Sequence, residues 1–324
     1  MTRGPVKRWP PMRYSELGGT GLRVSVLCFG TLALGRAQYN LLPQEASRVL
    51  LKAWELGVNF FDTAEIYGTY GHLKVVAGLP GAVIASRSYA STAHEMQASF
   101  DLCRRELRRE TLDVFGLHEQ ESGLTLKGHR EALSRLATLK QKGVLKAVSV
   151  STHFVSCVKA AAMLDEVDVI FALLNVDGLG IRDGTRQDME AALAFARQMG
   201  KGIYLMKALG GGHLFRDPRR ALEYARDFPH KDSVAVGLKD EYEVEFAAGV
   251  LSGEGFPDIA KAGRIEAERR LTVEEWCEGC GRCVAVCPFR ALTVECGKAK
   301  VDPERCMLCG YCARACPHFC LKVV

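Results

Sequence analysis

The residues with the plainest chemistry lie late in the chain, where ten of its thirteen cysteines fall between Cys277 and Cys320. Cys277, Cys280, Cys283 and Cys287 are followed by Pro288. Cys306, Cys309, Cys312 and Cys316 are followed by Pro317, so C-x₂-C-x₂-C-x₃-C-P occurs twice. Three thiolates at such intervals wrap one face of a cubane, and the cysteine before proline serves the other repeat's cluster. The pattern predicts two [4Fe–4S] clusters with crossed wiring. Cys277, Cys280, Cys283 and Cys316 would hold one, and Cys306, Cys309, Cys312 and Cys287 the other. Zinc would use two C-x₂-C pairs and leave the third and fourth cysteine of each run without a role. Cys296 and Cys320 fall outside the motif and read as small core residues.

A second set of chemical residues follows apolar runs earlier in the chain: Asp62 with nearby Tyr67, then Arg87, then His118. An acid, a phenol, a permanent cation and an imidazole suit proton delivery to a carbonyl oxygen while hydride arrives at the carbon. A neighbouring cation is expected to favour the phenolate and lower the tyrosine pKa, with Asp62 orienting that cation. Singly, each residue has a plainer reading. Asp62 and Glu65 have the spacing of a helix-capping pair, Tyr67 would be a wall residue, and His118 structural. Their recurrence at three successive strand ends is what points to a site. Lys207 either points into the same region or pairs within its own unit.

The elements that must position these residues alternate. Apolar strand-like runs are predicted at 26–29, 59–62, 82–86, 113–118, 147–151, 169–174, 202–206 and 233–236. Amphipathic helical runs are predicted at 44–56, 72–77, 93–109, 129–142, 154–164, 187–199, 218–228 and 242–251. Strands apolar throughout and separated by helices imply a parallel sheet covered on both faces. Eight such units fit a closed (β/α)₈ TIM barrel, an α/β fold of ~250 residues whose working residues project from the C-terminal strand ends. An open doubly wound sheet would carry a G-x-G-x-x-G fingerprint after an early strand, and 29–35 lacks it. Ahead of the barrel, residues 13–26 read as a hairpin around Gly18-Gly19-Thr20-Gly21. The division predicted is a tail (1–11), the barrel (12–253), a helical linker (254–270) whose Glu268-Arg269-Arg270 reads as a solvated face, and a small α+β cluster domain (271–324).

Two resemblances attach to these residues. The 271–324 segment resembles a bacterial two-cluster ferredoxin. Asn59-Phe60-Phe61-Asp62-Thr63-Ala64-Glu65-Ile66-Tyr67-Gly68, Leu117-His118, Val150-Ser151-Thr152-His153 and 206–212, with 13–30, resemble the aldo-keto reductase family in order and spacing. That resemblance implies a (β/α)₈ barrel reducing aldehydes or ketones with NADP(H). It makes Tyr67 the proton donor and His118 the residue orienting the carbonyl. Ser151 and Thr152 would contact the nicotinamide amide, Gly210, Gly211 and Gly212 would lie along the pyrophosphate, and Lys239 belongs to the eighth-strand cofactor segment. The chain departs from the pattern at Arg87, where the family has lysine. It departs again near Phe171, where the family has glutamine, and around Lys239, where the residues that grip the 2′-phosphate and adenine are not evident. Arginine keeps the charge but is planar, larger and never deprotonated.

Composition sets the remaining bounds. The 324 residues carry a net charge of +5 and are 25% charged, with no block of like charge, which does not imply nucleic acid. No apolar h-region follows Arg3, Lys7 and Arg8, and no run is long enough to span a membrane. Reduced cluster thiols point to the cytoplasm. The leading expectation is an iron–sulfur oxidoreductase acting on a small carbonyl or alcohol, its clusters exchanging electrons with a redox partner protein. Two alternatives stay open. In one, the barrel has lost NADP chemistry and is a cluster-fed reductase or a lyase-type proton-transfer enzyme; in the other, the protein is an electron-transfer subunit with a non-catalytic barrel.

Overall fold

The computed structural model describes residues 11–253 and 269–324. Of the expected tail and linker, 1–10 and 254–268 lie outside the described residues. A hairpin of β1 (Tyr14–Glu16) and β2 (Arg23–Ser25) opens the fold, paired antiparallel as expected. Eight parallel strands follow: β3 (Leu27–Gly30), β4 (Phe60–Asp62), β5 (Val83–Ser88), β6 (Leu112–Leu117), β7 (Leu145–Thr152), β8 (Val169–Leu173), β9 (Gly202–Met206) and β10 (Ser233–Gly237). They close into a barrel, with β10 returning beside β3 in the register Val234 to Leu27.

Around the barrel run α1 (Pro43–Glu55), α2 (Tyr70–Ala77), α3 (Ala93–Leu107), α4 (Gly123–Gly128), α5 (Arg130–Gln141), α6 (Val155–Ala162), α7 (Arg186–Gln198), α8 (Pro218–Asp227) and α9 (Glu241–Ser252). All eight predicted helices are present. The one not expected is α4, whose six residues have no apolar stripe and are started by Ser122 accepting from the Thr125 amide. The longer α3 starts on a reciprocal cap, in which Thr92 accepts from Glu95 N and Glu95 accepts from Thr92 N, both at 3.2 Å.

Alternation along each strand divides the core in two. Phe29, Phe61, Ile84, Phe115 and Val148 point outward to the helices, while Cys28, Phe60, Ala85, Val114 and Phe171 fill the barrel. Leu17, Leu22 and Val24 of the hairpin plug the lower end. The upper end is plugged from the other domain, because Ala313 and Phe319 belong to the same buried cluster as the barrel interior.

That domain is two antiparallel strand pairs: β11 (Leu271–Val273) with β14 (Leu321–Val323), and β12 (Leu292–Glu295) with β13 (Lys298–Val301). The β12–β13 hairpin turns at Gly297, whose φ is +75°. The C-terminal strand β14 thus pairs with the start of the domain, and just beyond that pair Arg270 and Val324 exchange backbone bonds of 2.8 and 3.0 Å. Short helical turns at Arg282–Ala285 and Tyr311–Ala315 carry Cys283 and Cys312. Arg269 is not a solvated residue: it pairs with Glu243 at 3.0 Å and donates to Tyr39 Oη at 3.2 Å.

Candidate active site and thiol cavities

Asp62, Tyr67, Arg87 and His118 converge on one chamber of about 200 Å³ at the C-terminal end of the barrel. Asp62 ends β4 and Arg87 lies near the end of β5, both facing inward. Arg87 Nη1 and Nη2 donate to the two Asp62 carboxylate oxygens at 2.6 and 3.0 Å, and Nη2 also donates to Tyr67 Oη at 2.9 Å. Tyr204, on β9, donates its hydroxyl to Asp62 Oδ2 at 3.0 Å. Phe171 stacks on Tyr204 with centroids 3.9 Å apart, and Arg87 lies 4.7 Å over the Phe171 ring. The capping reading of Asp62 and Glu65 does not hold: the turn Glu65–Tyr67 begins at Ala64 without a side-chain cap, and Asp62 is committed to Arg87.

Burial sets the protonation states. Burial lowers the Arg87 pKa, but Asp62, Tyr67 and Tyr204 outweigh it and push it well up, so the guanidinium stays charged. Tyr67 departs from expectation: burial raises its pKa more than Arg87 lowers it, so the phenol keeps its proton. Since its oxygen accepts from Arg87, its own hydrogen is left to point into the chamber. His118 is driven well below its usual pKa, first by burial and then by Arg87 and Lys207, and is neutral. Its ring stacks on Tyr89 at 4.3 Å, and Nδ1 is buried without a partner. Tyr204 and Tyr89 were not anticipated, because a tyrosine inside an apolar strand or just after one reads as core or wall.

The residues expected to hold a nicotinamide dinucleotide are differently engaged. Gly210, Gly211 and Gly212 all have φ between 58° and 87°, the left-handed region that glycine enters at least cost. Their open face meets β14. A Cβ on Gly212 would lie 1.8 Å from Val323 O, and one on Gly211 would lie 2.9 Å from Lys322 Cδ. The glycine run is thus explained by the close approach of the C-terminal strand, which stands where the pyrophosphate was expected. Ser151 lines the chamber, but its Oγ accepts from Glu119 N at 2.9 Å. Thr152 is fully buried and accepts from Phe154 N ahead of α6. Lys239 lies 4.9 Å over the Tyr39 ring. These residues do not fit a dinucleotide laid along the barrel mouth.

The eight motif cysteines separate into two cavities in the predicted crossed combination. One is lined by Cys277, Cys280, Cys283 and Cys316, the other by Cys306, Cys309, Cys312 and Cys287. Backbone amides already point at sulfur, Ala299 N at Cys277 Sγ and Ala291 N at Cys287 Sγ, both at 3.3 Å. Such bonds are among the levers that tune cluster potential. Cys320 also enters the first cavity, 3.3 Å from Cys316 Sγ, and Cys296 is exposed rather than a core residue.

A family model described as the aldo/keto reductase family matches residues 26–277, and one described as a 4Fe–4S dicluster domain matches 271–317. L-galactose dehydrogenase of Arabidopsis thaliana is 26% identical over 215 residues, covering 61% of this chain and 66% of that protein. Probable aldo-keto reductase 1 of Glycine max is 26% identical over 216 residues, covering 61% and 59%. The chain thus spans less than two thirds of the length of these relatives. A solved structure of a putative aldo-keto reductase from Pseudomonas aeruginosa superposes with a TM-score of 0.63 at 25% identity, covering 74% of this chain and 94% of that one. AKR11C1 from Bacillus halodurans shares the fold at 17% identity, with a TM-score of 0.61 and coverage of 78% and 94%.

Proposed function

We propose, for a chain that belongs to the aldo/keto reductase family and carries a 4Fe–4S dicluster domain, that the chamber reduces a carbonyl on a small molecule, or oxidises the corresponding alcohol. Its electrons are exchanged through two [4Fe–4S] clusters with a one-electron protein partner rather than taken as hydride from NADP(H). One observation carries this reading. Cys320 and Leu321 line the first thiol cavity, and the next three residues, Lys322, Val323 and Val324, line the chamber that holds Tyr67. A single short strand therefore separates the two sites.

Cys277, Cys280, Cys283 and Cys316 would hold one cluster and Cys306, Cys309, Cys312 and Cys287 the other, and the clusters would supply electrons one at a time. Reduction of a carbonyl adds two electrons and two protons overall. Tyr67 gives one proton to the carbonyl oxygen and solvent supplies the other to the carbon, while Arg87 stabilises the phenolate left behind until solvent restores its proton. Burial keeps that phenol protonated before the reaction and makes its loss of a proton depend on Arg87. Neutral His118, held flat against Tyr89, orients the carbonyl from beside Tyr67. Asp62 fixes the guanidinium and does not titrate in the cycle. Exposed Phe289, Met307 and Tyr311 surround the second thiol cavity and offer a face for the partner.

The test uses anaerobically purified, cluster-loaded protein reduced with dithionite and freed of excess reductant. Aldehydes and ketones should reoxidise the clusters, followed by visible absorbance, with alcohol formed at one per two electrons. Neither NADPH nor NADH should reduce the oxidised clusters. Tight NADPH binding with carbonyl reduction in protein stripped of clusters would overturn the proposal.

A further inference from the structure

Two amines of the chamber play no part in the proton chemistry above. Lys207 follows β9 with φ of +56°, a strained conformation for a residue with a side chain, and lines the chamber beneath the roof. Lys322 comes from β14 in the other domain and is 3% exposed. Both ammonium groups face one ring: Lys207 Nζ lies 5.5 Å and Lys322 Nζ 3.5 Å from the Phe319 centroid. Lys322 also donates to Phe319 O, and the two amines contact each other. The stem of Lys322 passes over Gly211, where a Cβ would collide with it.

The charges around this pair do not close. Arg87 is matched by Asp62 at 2.6 Å, and Arg269 by Glu243 at 3.0 Å. Lys207 and Lys322 are influenced by Glu274 and Glu119 at a distance, but among the described residues neither forms an ion pair with a carboxylate. Glu274 is itself buried, with Oε1 unpartnered. Burial pushes the pKa of both amines down, Lys322 well below the usual lysine value; the charge of Lys207 lowers Lys322 further, while Glu119 and Glu274 act in the opposite direction on both. Keeping such amines charged without a counter-charge is costly, and an anion brought between them offsets that cost.

We infer that Lys207 and Lys322 form an anchor for the carboxylate of the substrate, so that the molecule reduced at Tyr67 is a small oxo-carboxylic acid, held by one lysine from each domain. This rests on the chamber being the site of carbonyl reduction. The anchor also explains why a strand of the cluster domain roofs the barrel: the site is incomplete without Lys322. The chamber volume suits a ligand smaller than the drug-sized molecules that occupy ~300–1,000 Å³ pockets.

The experiment is calorimetric titration of full-length, cluster-loaded, oxidised protein with pyruvate and with 4- and 5-carbon oxo-acids, each beside its primary amide. At least one acid should bind ten times or more tighter than its amide. Lys207→Met and Lys322→Met should each weaken that acid by roughly ten- to hundredfold, the worth of a charged hydrogen bond, and leave the amide unchanged. In the absence of ligand both variants should be at least as heat-stable as the parent, since a repulsion has been removed. Equal binding of every acid and its amide would overturn the anchor without needing any variant. So would unaltered acid binding in both variants, or loss of NADP⁺ binding with acid binding intact, which would make the pair a phosphate site. No turnover enters this measurement. Acid binding without any carbonyl reduction would therefore reject the proposed function and leave the anchor standing.

Discussion

Replacing Arg87 with methionine tests the electrostatic core of the site. Asp62 and Arg87 are 4% and 3% exposed, and Asp62 accepts three hydrogen bonds, two from Arg87 and one from Tyr204. In Arg87→Met the carboxylate keeps only the tyrosine bond and remains dry. Breaking a buried pair by removing one partner costs about 3–5 kcal/mol, which for a barrel of this size lowers Tm by roughly 6–20 °C at ~2–4 °C per kcal/mol. The double variant Asp62→Asn/Arg87→Met removes the stranded charge and keeps an acceptor for Tyr204, so it should recover more than half the loss. The sign with pH follows. Without Arg87 the folded-state pKa of Asp62 rises further above its unfolded value. The penalty is then full at neutral pH and shrinks as pH falls towards that raised pKa. Urea unfolding of the parent and both variants, monitored by tryptophan fluorescence under anaerobic conditions at pH 5 and pH 8, measures all three effects. A single variant within about 1 kcal/mol of the parent, or a double variant no better than the single one, would refute the reasoning.

Other outcomes follow from the same geometry. Tyr67→Phe should lower the rate of cluster reoxidation by carbonyl compounds by about 10²–10⁴-fold, the usual worth of a positioned acid, with iron content unchanged. Because Tyr67 is raised and His118 is driven well down, the wild-type rate should show no limb from either between about pH 6.5 and 9, where an ordinary imidazole or activated tyrosine would titrate. Gly212→Ala places a methyl against Val323 O and should loosen the cluster domain, read as faster proteolysis between the domains. If a dinucleotide lay along that run instead, the variant would alter NADP⁺ binding and leave proteolysis unchanged. Cys316→Ser and Cys283→Ser should abolish the same cluster's electron paramagnetic resonance signal, and Cys287→Ser the other's. Loss of the same signal in Cys316→Ser and Cys306→Ser would contradict the crossed wiring.

The sequence by itself determined the two cysteine arrays, the eight strand–helix units and the strand-end residues Asp62, Tyr67, Arg87 and His118. Each of these is written in local spacing: a three-residue thiol interval, an apolar run of strand length, a polar residue where that run stops. Only the tertiary structure decided what the glycines of 210–212 are for, because a positive φ is the same signal whether a phosphate or a strand lies against it. It also decided the state of Tyr67, since the nearby cation was legible but the burial that outweighs it depends on Phe171, Tyr204 and the roof closing over the barrel. Lys322 and Glu274 carried no local mark of function. One sits in an apolar strand and the other just beyond one, and Lys322 lines the chamber, with Glu274 acting on its charge, only because β11 and β14 pair across the whole cluster domain and dock it on the barrel mouth. Contacts between residues more than a hundred positions apart leave no spacing to read, and those contacts are what join the thiol cavities to the site at Tyr67.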